Sequence, residues 1–278
     1  MQLAQAMTME RPTQTWRGAG LTEPVMDNVV PLRDGLGMPG AESGDGQLWR
    51  GVRLHLLGAF QVSVGGRLLS LGASIQRLLA ILALQPHPVN RPTVAGLLWD
   101  DSAERRAQAN LRTTVYRLNQ ICNGIIEVTA KTLRISPSVA VDAREVGVFA
   151  NQLLDDAPGL HLRWPPMGAL NHDLLPDWDH DWLRPEQARF RSLRLHCLET
   201  LCERLMRDGR YGQAADAALA VVHADPFRES AHGHLIKVYL AEGNRHEAVR
   251  HFLDYRRTLD AELGLSPSRE ISRLLDVA

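Results

Sequence analysis

Laid against itself at an offset of 34 residues, the second half of the chain matches small and apolar positions in order. Cys197 falls on Ala231, Leu201 on Leu235, Leu205 on Tyr239, Gly209 on Gly243, Ala214 on Ala248 and Ala218 on Phe252. Each position has a mechanical use. Glycine takes the left-handed conformation that ends many helices at little cost, so Gly209 and Gly243 are expected to end the first helix of each pair. Ala214 and Ala248 then let the second helix pack closely against the first. Units of this kind bury their apolar faces only by stacking, which commits this half of the chain to helix pairs.

A 34-residue helix–turn–helix period is the tetratricopeptide one. Around the two repeats, Asp142 is expected to cap a helix through REVGVFANQLL. A proline-rich connection follows from Pro158 to Pro176, then a long helix from about Pro185 to Arg207 and four further helices.

The first half has another texture. Residues 1 to 49 mix prolines and glycines without a sustained apolar period, which predicts a disordered tail. From Val52, VRLHLLGAFQVSVGGRLLSL reads as three short strands with a Gly65-Gly66 turn. Ser74 is the expected cap of IQRLLAILAL, whose Ile75, Leu78, Leu79 and Leu82 share a face and which Pro86 and Pro88 end. Pro92 opens a second, short helix that closes at Trp99. A third helix runs from about Ser102, its expected cap, to Ile121, with Glu104 at its positive end. IIEVT, a turn at Ala130-Lys131, and TLRIS make a hairpin, and Val139 to Val141 add a strand.

Charge singles out this first globular half. The net charge of -1 argues against a polyanionic partner, but the charges are not evenly spread. Residues 50 to 150 hold 12 basic and 6 acidic residues, against 3 and 6 before them and 16 and 20 after. A basic excess confined to one segment is the footprint that phosphate neutralisation needs. Within the third helix, at about 100° per residue, Leu111, Val115, Leu118 and Cys122 form an apolar stripe. The opposite face carries Arg106, Ala109, Thr113, Tyr116 and Gln120, with Arg105 and Arg117 beside it and no carboxylate. Arg and Gln can pair bidentately with guanine and adenine edges, and Thr and Ala can meet a thymine methyl. Arg112 is placed to meet phosphate.

Such residues also occur on ordinary solvated helices, so composition alone does not select DNA. The order of elements does. A third helix behind two shorter ones, then a hairpin bearing Lys131 and Arg134, is the order of a winged helix-turn-helix, whose helix enters the major groove while the wing touches the backbone.

LHLLGAFQVSVGGRLLSL, IQRLLAILAL, LLW and NLRTTVYRL resemble the response-regulator-type winged helix of the Streptomyces antibiotic regulatory protein family. LLPDWDHDWL, RLHCLETLCERL, GRYGQAADAAL, DPFRESAHGHLI, YLAEGNRHEAV and ELGLSPS resemble the bacterial transcriptional activation domain that follows it in that family. The resemblance spans about Val52 to Leu275. It implies binding to promoter direct repeats and recruitment of RNA polymerase. The chain departs from the family's pattern in the wing, where TAKTL lacks a glycine and an aromatic, and at Asn119 and Gln120, where arginine is common.

Other signals carry little chemistry. His172, Asp173, Asp177, Asp179, His180 and Asp181 could suggest a metal site, but Pro176 and two tryptophans mark a connection docked by aromatic anchors. His232 with His234, and His246 with His251, lack the spacing that puts two imidazoles on one helical face, which predicts solvated or packing residues. There is no G-x-x-x-x-G-K-[ST] motif and no G-x-S-x-G elbow, and the only lysines are Lys131 and Lys237. Cys122, Cys197 and Cys202 have no metal-ligand spacing and read as buried thiols of a reducing compartment. No run approaches the roughly 18 apolar residues of a membrane span, and the opening residues lack a signal-peptide pattern.

The expectation is therefore a mainly α protein: a tail over 1–49, a winged-helix DNA-binding domain over 50–141 and a tetratricopeptide-like domain over 142–278. It is expected to be cytoplasmic and not an enzyme, with no cofactor and no metal. Its DNA-binding residues are expected to be Arg105, Arg106, Arg112, Thr113, Tyr116, Arg117, Gln120, Lys131 and Arg134, and its partners promoter DNA, RNA polymerase and a second protomer on DNA. The rival expectation is a tetratricopeptide-type adaptor whose winged helix is a protein-binding platform.

Overall fold

The computed structural model describes residues 51–154 and 167–276. The tail expected over residues 1 to 49 lies outside the described residues, as does the 158–166 stretch of the proline-rich connection.

Alternation in the first strands has the expected result. β1 (Val52–His55) pairs antiparallel with β2 (Gln61–Val64), Val52 opposite Val64 and Leu54 opposite Val62, and this pairing buries Val52, Leu54 and Val62. β3 (Arg67–Leu68) returns after Gly65 and Gly66, whose φ angles of 56° and 82° suit a tight hairpin that residues with a Cβ resist. α1 (Ala73–Leu84) then buries Ile75, Leu78, Leu79 and Leu82. β4 (Val89–Asn90) precedes α2 (Arg91–Leu98), and α3 (Glu104–Ile121) follows. β5 (Ile126–Val128) and β6 (Thr132–Ile135) form the expected hairpin, and β7 (Ala140–Val141) joins β1 in parallel. The strands make two sheets, ordered β3-β2-β1-β7 and β4-β6-β5. The sequence reading missed β4, because two residues between prolines and a helix carry no alternation to detect.

Two expected caps do not form. α1 begins before Ser74, since the Gly72 carbonyl already accepts from the N–H groups of Ile75 and Gln76 at 2.9 and 3.1 Å. α3 begins after Ser102, whose N–H donates to Trp99 O at 3.1 Å and so closes the turn between helices. The first carbonyl of α3 is that of Ala103, which accepts from Arg106 and Ala107, and no side chain caps the helix.

The helical half comprises α4 (Asp142–Leu154), α5 (Met167–Leu170), α6 (Arg184–Arg207), α7 (Tyr211–Ala224), α8 (Glu229–Ala241), α9 (Arg245–Leu263) and α10 (Arg269–Asp276). The 34-residue period is realised bond for bond where α6 and α8 end. Gly209, at φ 72°, donates to Met206 O and Arg210 to Leu205 O, while Gly243, at φ 81°, donates to Leu240 O and Asn244 to Tyr239 O. Ala214 and Ala248 are fully buried in the second helix of each pair.

One buried apolar core runs continuously from Val52 to Val238. Polar contacts fix its middle. Asp142, expected simply to cap α4, also turns its carboxylate to the end of β1 and accepts from Leu56 N at 2.9 Å and Leu57 N at 3.1 Å. Arg144 donates to the carbonyls of Leu82, Ala83 and Gln85 and so closes the C-terminus of α1. The segment read as a connection docked by aromatic anchors reaches the same place. Gly58 N–H donates to Asp173 O and Leu175 N–H to Leu56 O, both at 2.9 Å, and Trp178 stacks on Phe60 with centroids 5.5 Å apart. Leu175 takes φ 41° to make this contact. Gln187 Nε2 holds the segment by donating to the carbonyls of Leu174, Leu175 and Trp178.

A smaller core, built on Ile236, Ala248, Tyr255, Leu259 and Ile271, ends the helical half. Beside it His232 and His251 meet across α8 and α9, their Nδ1 and Nε2 3.0 Å apart, while the His232 ring stacks on Tyr255 at 3.8 Å. Spacing within one helix could not reveal a pair built from two. Pro226 O can only accept, so His232 donates to it from Nε2 at 2.9 Å, and a neutral His232 accepts at Nδ1 from His251. Burial lowers the pKa of His232, and burial followed by the charge of His232 pushes His251 down to about 4.

Two outcomes are expected. Asp142→Ala should lower unfolding stability in urea by about 2–4 kcal/mol, because it leaves buried N–H groups without acceptors; a loss below about 0.5 kcal/mol would exclude the clamp. The histidine pair folds neutral and is protonated more readily when unfolded. Stability should therefore be level above about pH 6.5 and fall as the pH drops toward about 4, with the unfolded state binding extra protons. His251→Gln should flatten that fall; an unchanged slope would show that the pair does not cause it.

Candidate nucleic-acid interface

α3 divides as its periodicity dictates. Leu111 and Leu118 are fully buried, and Ala107, Thr114, Val115 and Cys122 are nearly so. Arg105, Arg106, Ala109, Arg112, Thr113, Tyr116, Arg117 and Gln120 are all exposed. Tyr116 is 65% exposed, a large aromatic ring left in water. Leu98, Val94 and Ala95 of α2 and Leu78 to Ala83 of α1 belong to the core that buries the apolar stripe of α3.

Many arginines of this protein are neutralised within the fold, but those of the outward face are not. Arg53, Arg134, Arg184, Arg189, Arg191, Arg194, Arg228, Arg250 and Arg257 all lie within ion-pairing distance of a carboxylate. Among the described residues, Arg105, Arg106, Arg112 and Arg117 have no acidic partner and no side-chain hydrogen bond. Four unpaired guanidiniums on one helix leave charge and donors available to a polyanion. Thr113 differs: its hydroxyl donates to Ala109 O at 3.1 Å.

The wing gives a mixed result. Lys131 is exposed at its tip. Arg134, expected beside it as a free cation, instead pairs with Glu127 across the hairpin, Nη2 to Oε2 at 2.5 Å and Nε to Oε2 at 2.6 Å. The two residues sit opposite each other in the β5–β6 register, which sequence inspection of the basic residues alone did not weigh. The turn needs no glycine because Thr129 closes it: its Oγ1 accepts from Thr132 N at 2.8 Å and Lys131 N at 3.2 Å. Arg91, passed over in the sequence, belongs to this neighbourhood, since its N–H donates to Lys131 O at 2.9 Å.

A cleft of about 370 Å³ opens between α2 and α3, lined by Pro92, Trp99 and Ala107 with Asp100 and Glu104 at hand. Its carboxylates make it unfit for phosphate. The residues that resembled metal ligands are dispersed: Asp173 pairs with the buried Arg194 at 2.5 Å, Asp179 and Asp181 with Arg184, and His180 packs between Trp178 and Trp182. Among the described residues no group of three or more His, Cys, Asp or Glu could hold a metal ion, and no helix is long and apolar enough to cross a membrane. Cys197 and Cys202 are fully buried, with burial pushing both thiols up to about 12.

Comparison with known proteins agrees with this architecture. Residues 163–276 match the bacterial transcriptional activator domain. The regulatory protein AfsR of Streptomyces coelicolor is 28% identical over 264 residues, covering 88% of this chain and 25% of the relative. AfsR of Streptomyces griseus is 24% identical over 233 residues, covering 80% and 24%. The chain thus spans about a quarter of the length of these curated relatives. Among solved structures, Mycobacterium tuberculosis EmbR, in complex with a low affinity phosphopeptide, superimposes with a TM-score of 0.61 at 19% identity. That match covers 81% of this chain and 64% of EmbR. It shows the fold alone. Residues 163–276 thus match a bacterial transcriptional activator domain behind a winged-helix-type region, and the chain as a whole is distantly similar to the AfsR regulatory proteins.

Proposed function

We propose that this protein is a sequence-specific transcriptional activator that places α3 in the major groove of promoter DNA. The observation that carries the reading is the set of unpaired guanidiniums of Arg105, Arg106, Arg112 and Arg117 on a face without carboxylates. Arg106, Thr113, Tyr116, Arg117 and Gln120 face the bases, while Arg105, Arg112 and Lys131 meet phosphates. Arg134 supports the wing through Glu127 and contributes to phosphate only secondarily. Two protomers occupy direct repeats, and the helical half supports their association and contacts RNA polymerase to raise transcription of a biosynthetic gene cluster. The work is done in the cytoplasm, without a cofactor and without catalysis.

Binding of the full chain to a duplex enriched from a random-sequence pool should weaken steeply with salt, with a log–log slope of about -0.9 per phosphate contact. A flat response would favour the adaptor reading, in which the winged helix holds a protein. Within the site, Arg117→Ala should cost about 1–3 kcal/mol against the selected duplex and relax specificity. Lys131→Ala should instead weaken selected and scrambled duplexes alike and reduce the salt slope by about 1. Equal behaviour of the two variants would defeat this division of roles.

A further inference from the structure

The centre of α3 offers a narrower clue, and it rests on the reading of α3 as the groove-facing helix. A threonine on a recognition surface has two ways to meet a base: its hydroxyl can donate to a purine or pyrimidine acceptor, or its methyl can pack on the 5-methyl of thymine. At Thr113 the single hydroxyl proton is already committed, which leaves the methyl and the oxygen lone pairs for a base. The hydroxyl proton is given to Ala109 O, 3.1 Å away and one turn back along the same helix. With Oγ1 turned to the backbone, the group that an exposed Thr113 presents outward is its Cγ2 methyl. The exposed residue one turn before it is Ala109, which has a methyl and nothing else. Two methyl groups thus stand together at mid-helix, with the donor Arg106 on one side along the axis and Arg117 and Gln120 on the other.

We propose that Ala109 and Thr113 form a methyl-reading patch that selects thymine at the middle of each half-site, with hydrogen-bonding side chains reading the flanking base pairs. Such a patch discriminates by shape and burial. Uracil pairs as thymine does but lacks the 5-methyl, so it isolates this contact.

The test uses the full chain and a duplex enriched from a random-sequence pool, resynthesised with deoxyuridine at each thymine in turn. One or two central positions should lose about fourfold in affinity for each methyl removed. Thr113→Ser keeps the hydroxyl and deletes the methyl, so at a position that wild type distinguishes it should separate the thymine and uracil duplexes clearly less, the remainder being due to Ala109. Thr113→Val keeps the methyl and should still distinguish them. If a duplex is enriched but uracil substitution changes nothing, or the selected motif lacks thymine, the methyl patch is refuted while DNA binding stands. If the uracil loss persists unchanged in Thr113→Ser, Thr113 reads no methyl and the proposed patch is refuted. If neither duplex nor salt-dependent binding emerges from the pool, the groove-facing role of α3 itself fails, and the inference goes with it.

Discussion

The first turn of α4 holds the molecule together. Within three residues it presents an acceptor to the N–H groups at the end of β1 and a donor to the last carbonyls of α1. These are groups that a strand end and a helix end leave without partners of their own. The helix that begins the second half of the chain therefore completes the hydrogen bonding of the first. The Asp173–Leu175 segment adds two backbone hydrogen bonds to the same region, and Arg194, buried with only 2% of its side chain exposed, pairs with Asp173 to hold that segment down. Breaking such a pair on one side leaves a buried charge alone, which costs more than the pair contributes when intact.

Much of this was legible in the residues. The 34-residue period located both helix pairs and the glycines that end their first helices, because each repeat must solve the same capping and packing problem. The stripe of Leu111, Val115 and Leu118 set the orientation of α3, since burial on one face fixes what the other face presents. Helix starts were read less well. Ser74 and Ser102 are good capping residues by type, but the carbonyls of Gly72 and Ala103 had already been taken by the following N–H groups. Cap preference is worth about 1 kcal/mol, and the packing of a whole helix outweighs it.

Pairwise features were hidden for a different reason. The Arg134–Glu127 ion pair depends on strand register, and the His232–His251 contact on how two helices pack. Neither leaves a mark at a fixed sequence spacing. The basic excess of residues 50 to 150 was visible as a count, but only geometry separates the four unpaired arginines of α3 from Arg53 and Arg134, whose charges are met within the fold.

The core that runs unbroken from Val52 to Val238 has a further meaning. A winged helix on a flexible tether samples many bearings and can reach partners at variable distances. Here the bearing of α3 relative to the helix pairs is built in by shared packing. If α3 seats in a groove as proposed, what the first helix pair can touch at once is set by this shared packing and not by the reach of a linker.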